Sequence, residues 1–237
     1  MQLRLVLVEP EGRINFGYIL RLCRNFGVGD ICVVRPKFDL RDPEVLSFAA
    51  GGASLVDSVR VSESLEECLR GVDYSVCTTA VAGASDDYLR QAVSPWALPL
   101  LVPRESKVAL VFGRESVGLT RAELASCDLI STLVTPSDYN VLNLSHAVAV
   151  YLYELARVGT AELVVGERCG SDYVRVLMKY VESLGAALNL SQDEVSAVKH
   201  AVAKAILTKP ECRALYKLLK GALALTRKSL QQHPSLS

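Results

Sequence analysis

The sequence predicts an α/β protein in which a parallel β-sheet is covered by helices on both faces and followed by a smaller all-helical segment. Short apolar runs alternate with amphipathic stretches over residues 1–158, the pattern of the strand–helix units that build parallel sheets. Beyond residue 171 only helical periodicity continues. We therefore expect a main domain over residues 1–158, a glycine-containing linker over 159–171 and a helical extension over 172–237.

The first strand and helix establish this alternation. Leu3–Val8 is an almost continuous apolar run, which is typical of a strand buried on both faces. Asn15 is a residue type that caps helices, and the apolar stripe after it ends at Gly27, a typical C-terminal stop. We expect a helix between these two residues and a second strand over Ile31–Val34.

The other elements of the main domain follow in chain order. Strands are predicted at residues 59–61, 74–80, 108–112 and 130–134, and helices at 43–50, 64–69, 120–125 and from 143 onward. Residues 81–106 contain three prolines that limit any helix there. Three helices are predicted in the extension: one marked by apolar positions from Tyr173 to Leu184, one capped by Ser191 and one opened by Pro210.

The composition describes a globular protein with a sizeable core. Of 237 residues, 50% are hydrophobic and 22% are charged, and the formal net charge is zero. Residues 166–237 hold 11 Lys and Arg against 6 Asp and Glu, which leaves the rest of the chain acidic. A basic extension favours a polyanionic partner, although a solvated helix face has the same pattern. The third predicted helix carries a basic stripe of Arg213, Lys217, Lys220 and Arg227.

The seven cysteines are widely spaced, without a C-x-x-C pair, and the three histidines do not cluster with them. We expect reduced thiols of an intracellular protein, with neither a disulfide framework nor a zinc site. The first residues do not resemble a signal peptide, and no apolar run reaches the ~18 residues needed to span a bilayer. A soluble, cytoplasmic protein is therefore expected.

Polar residues concentrate in three segments near predicted strand ends, where open α/β sheets bind their ligands. These are Asn15–Gly17 with Arg21 behind them, the loop Gly113–Gly118, and the segment Tyr139–Asn143. Taken singly, each residue has a structural explanation as a helix cap, a turn glycine or a surface charge. The sequence has no evident catalytic triad, metal-ligand spacing or G-x-G-x-x-G fingerprint, and the missing fingerprint argues against a nucleotide-dependent oxidoreductase.

Taken together, the three segments resemble a known family. NFGYILRLCRNFGV at residues 15–28, ALVFGRESVGLT at 109–120 and YNVLNLSHAVAVYLYEL at 139–155 are similar to the three motifs of SPOUT-class RNA 2′-O-ribose methyltransferases. Within that class the nearest resemblance is to the TrmJ-type tRNA methyltransferases. It covers residues 3–157 and extends, more loosely, to the helical extension of archaeal members.

The resemblance implies a deep trefoil knot in the C-terminal part of the sheet domain, one of the rare exceptions to unknotted chains. The knot would hold S-adenosylmethionine, and the enzyme would act as a homodimer without a metal. By correspondence of motifs, the cofactor-binding residues would be Thr78, Thr79, Ala80, Gly113, Leu133, Asn140, Val141 and Leu142.

The same resemblance assigns catalysis to Arg21, Asn15, Glu115 and Asn143, with Asn15 and Arg21 of one subunit facing the cofactor of the other. Arginine is a poor general base at neutral pH because its pKa exceeds ~12. We therefore expect Arg21 to anchor the ribose or a phosphate and to stabilise the developing alkoxide. The implied substrate-binding residues are Arg114 and, on the extension, Arg213, Lys217 and Lys220.

The implied reaction is methylation of a tRNA ribose, at nucleotide 32 of the anticodon loop if the TrmJ resemblance extends to the substrate. Ribosomal RNA is the alternative substrate for the same chemistry. Two departures from the family pattern favour a third interpretation, an inactive RNA-binding scaffold. Val141 stands where a serine is common, and Val81 stands where many relatives carry an arginine.

Overall fold

The computed structural model describes residues 1–157, except 82, 84–86, 88, 90 and 138, and residues 167–232, with side chains through 229. Six parallel strands form one sheet in the order β3-β2-β1-β5-β4-β6. In chain order the strands are β1 (Gln2–Val8), β2 (Asp30–Val34), β3 (Arg60–Ser62), β4 (Tyr74–Thr78), β5 (Lys107–Phe112) and β6 (Leu129–Ser131).

Helices lie on both faces of the sheet, because parallel strands have to be joined by crossover connections that pass over one face or the other. Short 3₁₀ segments occur at Ala50–Ser58 and Pro95–Ala97. The α-helices among the described residues are α1 (Arg13–Phe26), α2 (Pro43–Ala49), α3 (Leu65–Leu69), α4 (Leu98–Leu101), α5 (Arg121–Ala125), α6 (Leu144–Arg157), α7 (Ser171–Ala187), α8 (Gln192–Lys204) and α9 (Lys209–Gln232).

Two hydrophobic clusters fill the two sides of the sheet. Successive side chains of a strand point to opposite faces, so Leu5 and Leu7 of β1 join the cluster packed by α1 and α6, whereas Val6 and Val8 join the one packed by α3 and α5. All four side chains are at most 1% exposed. The predicted parallel sheet with helices on both faces is confirmed, and its strands are buried as their apolar runs indicated.

Several element boundaries differ from the prediction by a few residues, such as the end of β4 at Thr78 instead of residue 80, and two further differences lie near the polar segments. α1 begins at Arg13, with Gly12 as its N-cap. The prediction of Asn15 as a helix cap was therefore wrong, and its side chain is free to bind elsewhere. β6 ends at Ser131 instead of residue 134, and Val134 is 78% exposed. The apolar run at residues 130–134 extends beyond the strand because a sequence pattern shows which side chains are apolar, whereas the end of a strand is set by where its backbone hydrogen bonds stop.

The helical extension packs directly against the sheet domain. Ser196 Oγ donates to the Ala125 carbonyl oxygen at 2.9 Å, and the guanidinium of Arg121 pairs with Asp193 at 2.8 Å. Apolar side chains of α7 share the first hydrophobic cluster with the sheet. Much of the predicted linker at 159–171 lies outside the described residues, since residues 158–166 are not described, and α7 already begins at Ser171.

The expectation of reduced cysteines without disulfides was wrong. The structure contains the disulfides Cys32–Cys68, Cys77–Cys127 and Cys169–Cys212, and leaves Cys23 as a buried free thiol. The partners are 36, 50 and 43 residues apart in sequence, and only the fold brings their Cα atoms within 5.8–6.2 Å. Sequence spacing alone gives no signal for such pairs. Within the described ranges, no helix has the length and apolar character needed to cross a membrane.

Candidate active site

The three polar segments meet at the carboxyl edge of the sheet. One follows β1, one follows β5 and one lies between β6 and α6, and β1 and β5 are neighbouring strands. Because parallel strands end at the same edge, hydrogen bonds there join residues more than 100 positions apart. The sheet topology therefore assembles a site that no single stretch of sequence contains.

Glu115 is held by three donors from the segment after β1. Its Oε2 accepts from the backbone N–H of Glu11 at 2.8 Å. Its Oε1 accepts from the backbone N–H of Gly12 and from Asn15 Nδ2, both at 3.1 Å. These donors lie at the N-terminus of α1, where the first backbone N–H groups have no partner within the helix and take a side-chain oxygen as their acceptor. Glu115 is thus oriented by the fold and, in turn, orients Asn15.

Asn15 connects this carboxylate to the third polar segment. Its Oδ1 accepts a hydrogen bond from Asn143 Nδ2 at 2.9 Å. The Oδ1 of Asn143 accepts from the backbone N–H of Ser145 at 2.9 Å and from its hydroxyl at 2.7 Å, at the start of α6. A continuous hydrogen-bonded chain therefore runs from Glu115 through Asn15 and Asn143 to Ser145. Three predicted catalytic residues are brought together by it, and each fixes the orientation of the next.

Arg114 binds a different set of partners. Its guanidinium contacts both carboxylate oxygens of Glu123 at 3.0 Å, Glu9 at 3.2 Å and the carbonyl oxygen of Gly118 at 3.2 Å. The hydrogen bonds with Glu123 and Glu9 raise the pKa of Arg114 above its ordinary value. Only 12% of its side chain is exposed. A substrate contact by Arg114 stays a prediction, and this geometry leaves little of the guanidinium available for it.

The loop that presents Glu115 requires glycine at its base. Arg114 and Gly118 exchange backbone hydrogen bonds across it, at 3.3 and 2.9 Å. A Cβ on Gly113 would lie 2.3 Å from the carbonyl carbon of Gly118 and 2.4 Å from the nitrogen of Leu119. No side chain fits at that distance, so Gly113 allows the loop to close on itself.

The predicted cofactor residues lie at the end of β4 and in the segment after β6. Asn140 Nδ2 donates to the carbonyl oxygen of Ala80 at 2.9 Å and so ties the two segments together. Thr78 Oγ1 donates to the carbonyl oxygen of Val111 at 2.9 Å, within the sheet. Thr79 Oγ1 accepts from the backbone N–H of Val81 at 3.1 Å. The hydroxyls of both threonines therefore support the backbone, which leaves backbone groups of the strand end for a ligand.

Apolar side chains next to these segments are incompletely covered. Val141 is 51% exposed and Leu142 is 37% exposed, while Leu133 is half-buried. Ligand sites commonly combine such apolar walls with a few fixed polar groups. Uncovered apolar walls beside backbone carbonyl and amide groups fit a flat heteroaromatic ring with polar edges, such as the adenine of S-adenosylmethionine.

Arg21 does not join the hydrogen-bonded chain. It lies on the exposed face of α1, and among the described residues its guanidinium has no partner. Ile14 and Tyr18 share this face, each 40% exposed. Val150 and Tyr153 are exposed on the neighbouring α6, at 38% and 56%. The predicted catalytic arginine thus has no partner in the part of its own chain that the structure describes, and it shares its helix face with exposed apolar side chains.

The predicted tRNA-binding residues of the extension lie apart from this site. Arg213, Lys217 and Lys220 are exposed on α9, which packs against α7. Lys220 Nζ lies 5.7 Å from the centre of the Tyr216 ring. Arg213, Lys217 and Lys220 thus lie on one face of α9, as predicted, but none of them contacts the described residues of the candidate site at the sheet edge.

Sequence reasoning missed one charged cluster at the carboxyl edge. Glu9, directly after β1, pairs with Arg35 at 2.6 Å, with Lys37 at 2.9 Å and with Arg114 at 3.2 Å. The hydrogen bonds from Arg114 and then Lys37 lower the pKa of Glu9 to about 2. The sequence did contain a signal for this cluster. The similar tripeptides Val8-Glu9-Pro10 and Val34-Arg35-Pro36 end consecutive strands and carry opposite charges at the same position.

The SpoU rRNA Methylase family matches residues 2–153. Two curated relatives are similar over 66% of this chain. They are the tRNA (cytidine-2′-O-)-methyltransferase TrmJ of Sulfolobus acidocaldarius, at 42% identity, and the uncharacterized tRNA/rRNA methyltransferase LasT of Escherichia coli K12, at 36%. The matched regions span 66% and 68% of these relatives, so the likeness concerns about two thirds of each.

A solved structure is similar over nearly the whole chain. The structure of a probable methylase family protein from Haemophilus influenzae Rd KW20 is 26% identical, with a TM-score of 0.60, and the match covers 98% of both chains. The likeness therefore includes helices α7–α9 as well as the sheet. The resemblance noted from the three sequence motifs is confirmed.

Proposed function

This chain belongs to the SpoU rRNA methylase family, and from that premise we propose that it is an S-adenosylmethionine-dependent tRNA 2′-O-ribose methyltransferase. The observation that carries the proposal is the hydrogen-bonded chain Glu115–Asn15–Asn143 at the carboxyl edge. Its members come from all three family motifs and are oriented as one unit. The curated relative with 42% identity is named as a tRNA cytidine 2′-O-methyltransferase, which supports tRNA as the substrate.

The cofactor site in this proposal lies between the end of β4 and the segment before α6. Thr78, Thr79 and Ala80 form one wall, and Gly113 and Leu133 flank it. Asn140, Val141 and Leu142 form the other. When bound, S-adenosylmethionine supplies an electrophilic methyl group. The contact between Asn140 and the Ala80 carbonyl holds the two walls together, and the exposed apolar side chains of Val141 and Leu142 supply the surface for adenine.

The protein groups act mainly by positioning and electrostatics. A 2′-hydroxyl has to be held in line with the methyl group, and fixed geometry supplies a large share of the rate in such reactions. Asn143 and Asn15 present oriented amides for this purpose, with Glu115 fixing Asn15. The Arg21 guanidinium anchors ribose or phosphate and stabilises the charge that develops on the hydroxyl oxygen. None of these protein groups forms or breaks a covalent bond, and the proton of the 2′-hydroxyl is released to water.

A homodimer is part of the proposal, because Arg21 has no partner within its own chain among the described residues. Ile14 and Tyr18 on α1, and Val150 and Tyr153 on the contacting helix α6, are exposed apolar side chains. Surfaces of this kind mark protein interfaces. A second copy that covers this surface would place Arg21 of one subunit beside the cofactor site of the other.

The trefoil knot is likewise proposed, and strand contacts support it. Val93 lies on the outer side of β6, donating to the carbonyl oxygen of Ile130 at 2.9 Å and accepting from the N–H of Thr132 at 3.0 Å. The chain then turns back through the segment Pro95–Ala97, which packs against α6. These contacts of one loop with both β6 and α6 support the proposal that the chain between them threads through that loop.

Further features complete the proposal. The main domain over residues 1–158 carries catalysis, and the extension over 172–237 binds tRNA through Arg213, Lys217 and Lys220 after the linker at 159–171. The target is nucleotide 32 of the anticodon loop, and the protein acts in the cytoplasm. Splayed loop nucleotides are accessible to such a site, and a basic helix can hold the phosphates around them.

The test combines two measurements on the purified protein. Titration calorimetry measures binding of S-adenosylmethionine, and transfer of a labelled methyl group to unmodified tRNA is followed by mapping of the modified ribose. Binding with transfer to a tRNA ribose supports the proposal, and a modified position other than 32 overturns only the assigned nucleotide. Transfer to ribosomal RNA alone overturns tRNA as the substrate. Absence of cofactor binding overturns the enzymatic function in favour of an RNA-binding scaffold.

A further inference from the structure

The ends of β1 and β2 share an unusual backbone conformation. Glu9 has a φ of 46° and Arg35 a φ of 42°, the left-handed region that residues other than glycine seldom adopt. Each is followed by a proline, Pro10 or Pro36. The two strands are parallel neighbours, so these turns lie side by side at the carboxyl edge. Strained backbone of this kind persists where the surrounding contacts enforce it, and it is enriched at functional sites.

The two turns bring a carboxylate and three cations into contact. Glu9 contacts Arg35 Nη2 at 2.6 Å, Lys37 Nζ at 2.9 Å and the guanidinium of Arg114 at 3.2 Å. The Glu9 side chain is only 13% exposed. Arg114 is also neutralised by Glu123. Two carboxylates thus face three cations, and the cluster keeps an excess positive charge.

Arg35 and Lys37 are the accessible members of this cluster. Their side chains are 51% and 52% exposed, whereas Arg114 is 12% exposed. Among the described residues, each of the two contacts only the carboxylate of Glu9 through its charged group. A guanidinium has five N–H donors and an ammonium has three. Most of their donors therefore remain available for an anion while Glu9 holds both cations in place.

This cluster is connected to the proposed catalytic residues by a four-residue loop. Glu9 begins the loop, and the backbone N–H groups of Glu11 and Gly12 at its other end bind Glu115. Arg114, which contacts Glu9, directly precedes Glu115 in sequence. The two accessible cations thus lie on the same edge of the sheet as the Glu115–Asn15–Asn143 chain, one strand further along.

We propose that Arg35 and Lys37 form a phosphate-binding site for the RNA backbone next to the target nucleotide, with Glu9 as the residue that positions both cations. The inference rests on the proposed function, since the ligand is the substrate tRNA. Guanidinium and ammonium groups held side by side match the charge and acceptor oxygens of a phosphodiester. Such contacts fix the register of RNA on a protein without reading its sequence.

The first test removes the two cations and keeps the side-chain lengths nearly unchanged. In the Arg35→Gln/Lys37→Gln variant, we expect the KM for tRNA to rise by about tenfold at low salt, with kcat and S-adenosylmethionine affinity little changed. The slope of log affinity against log salt should fall by about 0.7–0.9 for each phosphate that the variant no longer neutralises. The matched control is Lys107→Gln/Arg175→Gln, which removes two cations paired with Asp30 and Asp73 at the opposite edge.

A second variant separates positioning from net charge. Glu9→Gln adds one positive charge, so a purely electrostatic effect would strengthen tRNA binding and steepen its salt dependence. If Glu9 positions the two cations, the same variant weakens tRNA binding and flattens the salt dependence. Circular dichroism and S-adenosylmethionine titration check that Glu9→Gln is folded. If Glu9→Gln does not fold, the Arg35→Gln/Lys37→Gln variant alone tests the phosphate site.

The outcomes distinguish this inference from the proposed function. If the wild type methylates tRNA and the Arg35→Gln/Lys37→Gln variant has the same KM and salt slope, the phosphate site is wrong and the function stands. If the wild type binds tRNA without methylating it and the variant binds more weakly, the site is supported and the enzymatic function is overturned. Equal weakening in the control variant would also overturn the site, because the effect would then be one of overall charge.

Discussion

Asn143 Nδ2 donates to Asn15 Oδ1 at 2.9 Å, across 128 positions of sequence. The bond joins the start of α6 to the first turn of α1, and through Asn15 Nδ2 it extends to Glu115. An asparagine suits the central position because its amide both donates and accepts. The predictions below start from this residue.

Replacing Asn15 should separate catalysis from cofactor binding. Asn15→Ala removes both hydrogen bonds, and we expect kcat/KM to fall by about 10²-fold, since small losses of alignment cost that much. Asn15→Asp keeps the shape but sets a carboxylate against Glu115, so it should be at least as impaired. Methyl transfer and calorimetry with S-adenosylmethionine measure the two effects. Activity close to wild type in both variants would show that the hydrogen-bonded chain is not catalytic.

Arg21→Ala should abolish methyl transfer and leave cofactor affinity and the oligomeric state largely intact. The residue has no partner within its own chain among the described residues, so its removal breaks no bond seen there. Arg24→Ala is the matched control, because Arg24 is also exposed on α1. Light scattering and methyl-transfer assays give the readouts. Normal turnover by Arg21→Ala would exclude the proposed role in stabilising the developing alkoxide.

Reversing two charges on α9 should weaken tRNA binding without changing cofactor affinity. Lys217→Glu/Lys220→Glu removes two cations of the exposed stripe, and the salt slope of tRNA binding should fall with the affinity. Lys179→Glu/Lys204→Glu makes the same charge change on α7 and α8. If both double variants bind tRNA as the wild type does over a salt series, the stripe is only a solvated helix face.

The three disulfides predict a definite thiol count. Unfolded without reductant, each chain should expose one reactive thiol, that of Cys23, and after reduction all seven. Cys169→Ala/Cys212→Ala should lower the free energy of unfolding by roughly 3–4 kcal/mol, the chain-entropy expectation for a loop of this length. Cys23→Ala is the control that breaks no bridge. Seven thiols before reduction would show that the bridges do not form.

His200 should make stability depend on pH. Burial lowers the pKa of His200 below the ordinary 6.5, and its Nε2 donates to the Cys127 carbonyl oxygen at 2.7 Å, while its buried Nδ1 has no partner among the residues that the structure describes. Below pH ~6.5 the unfolded chain binds a proton at His200, whereas the folded chain does not. The free energy of unfolding therefore falls as the pH is lowered, by at most about 1.4 kcal/mol per pH unit for one group.

Denaturant unfolding of wild type and His200→Gln at several pH values from 5 to 7.5 measures this contribution. Glutamine keeps the donor to Cys127 but does not titrate, and subtracting the two curves removes the effect of other groups. The difference in the free energy of unfolding between wild type and His200→Gln should become smaller toward low pH. Parallel curves would show that His200 does not titrate differently in the folded and unfolded chains.

Local sequence determined the main elements of the sheet domain and of the helical extension. Continuous apolar runs such as Leu3–Val8 require burial on both faces, and caps such as Thr120 and Ser191 define where short helices begin. These features depend on neighbours a few positions away, so they are readable from the chain alone. The three motifs and their resemblance to a family were readable for the same reason.

The tertiary structure alone decided which distant side chains meet. Asn15 looked like a helix cap, yet it binds Asn143 and Glu115 because parallel strands end at one edge. The same edge sets Glu9 against Arg35, and the packing of α3 on β2 gives Cys32 its partner Cys68. Hydrogen bonds, ion pairs and disulfides act over a few ångströms, and their partners here lie tens to more than a hundred positions apart. Only the fold supplies those distances.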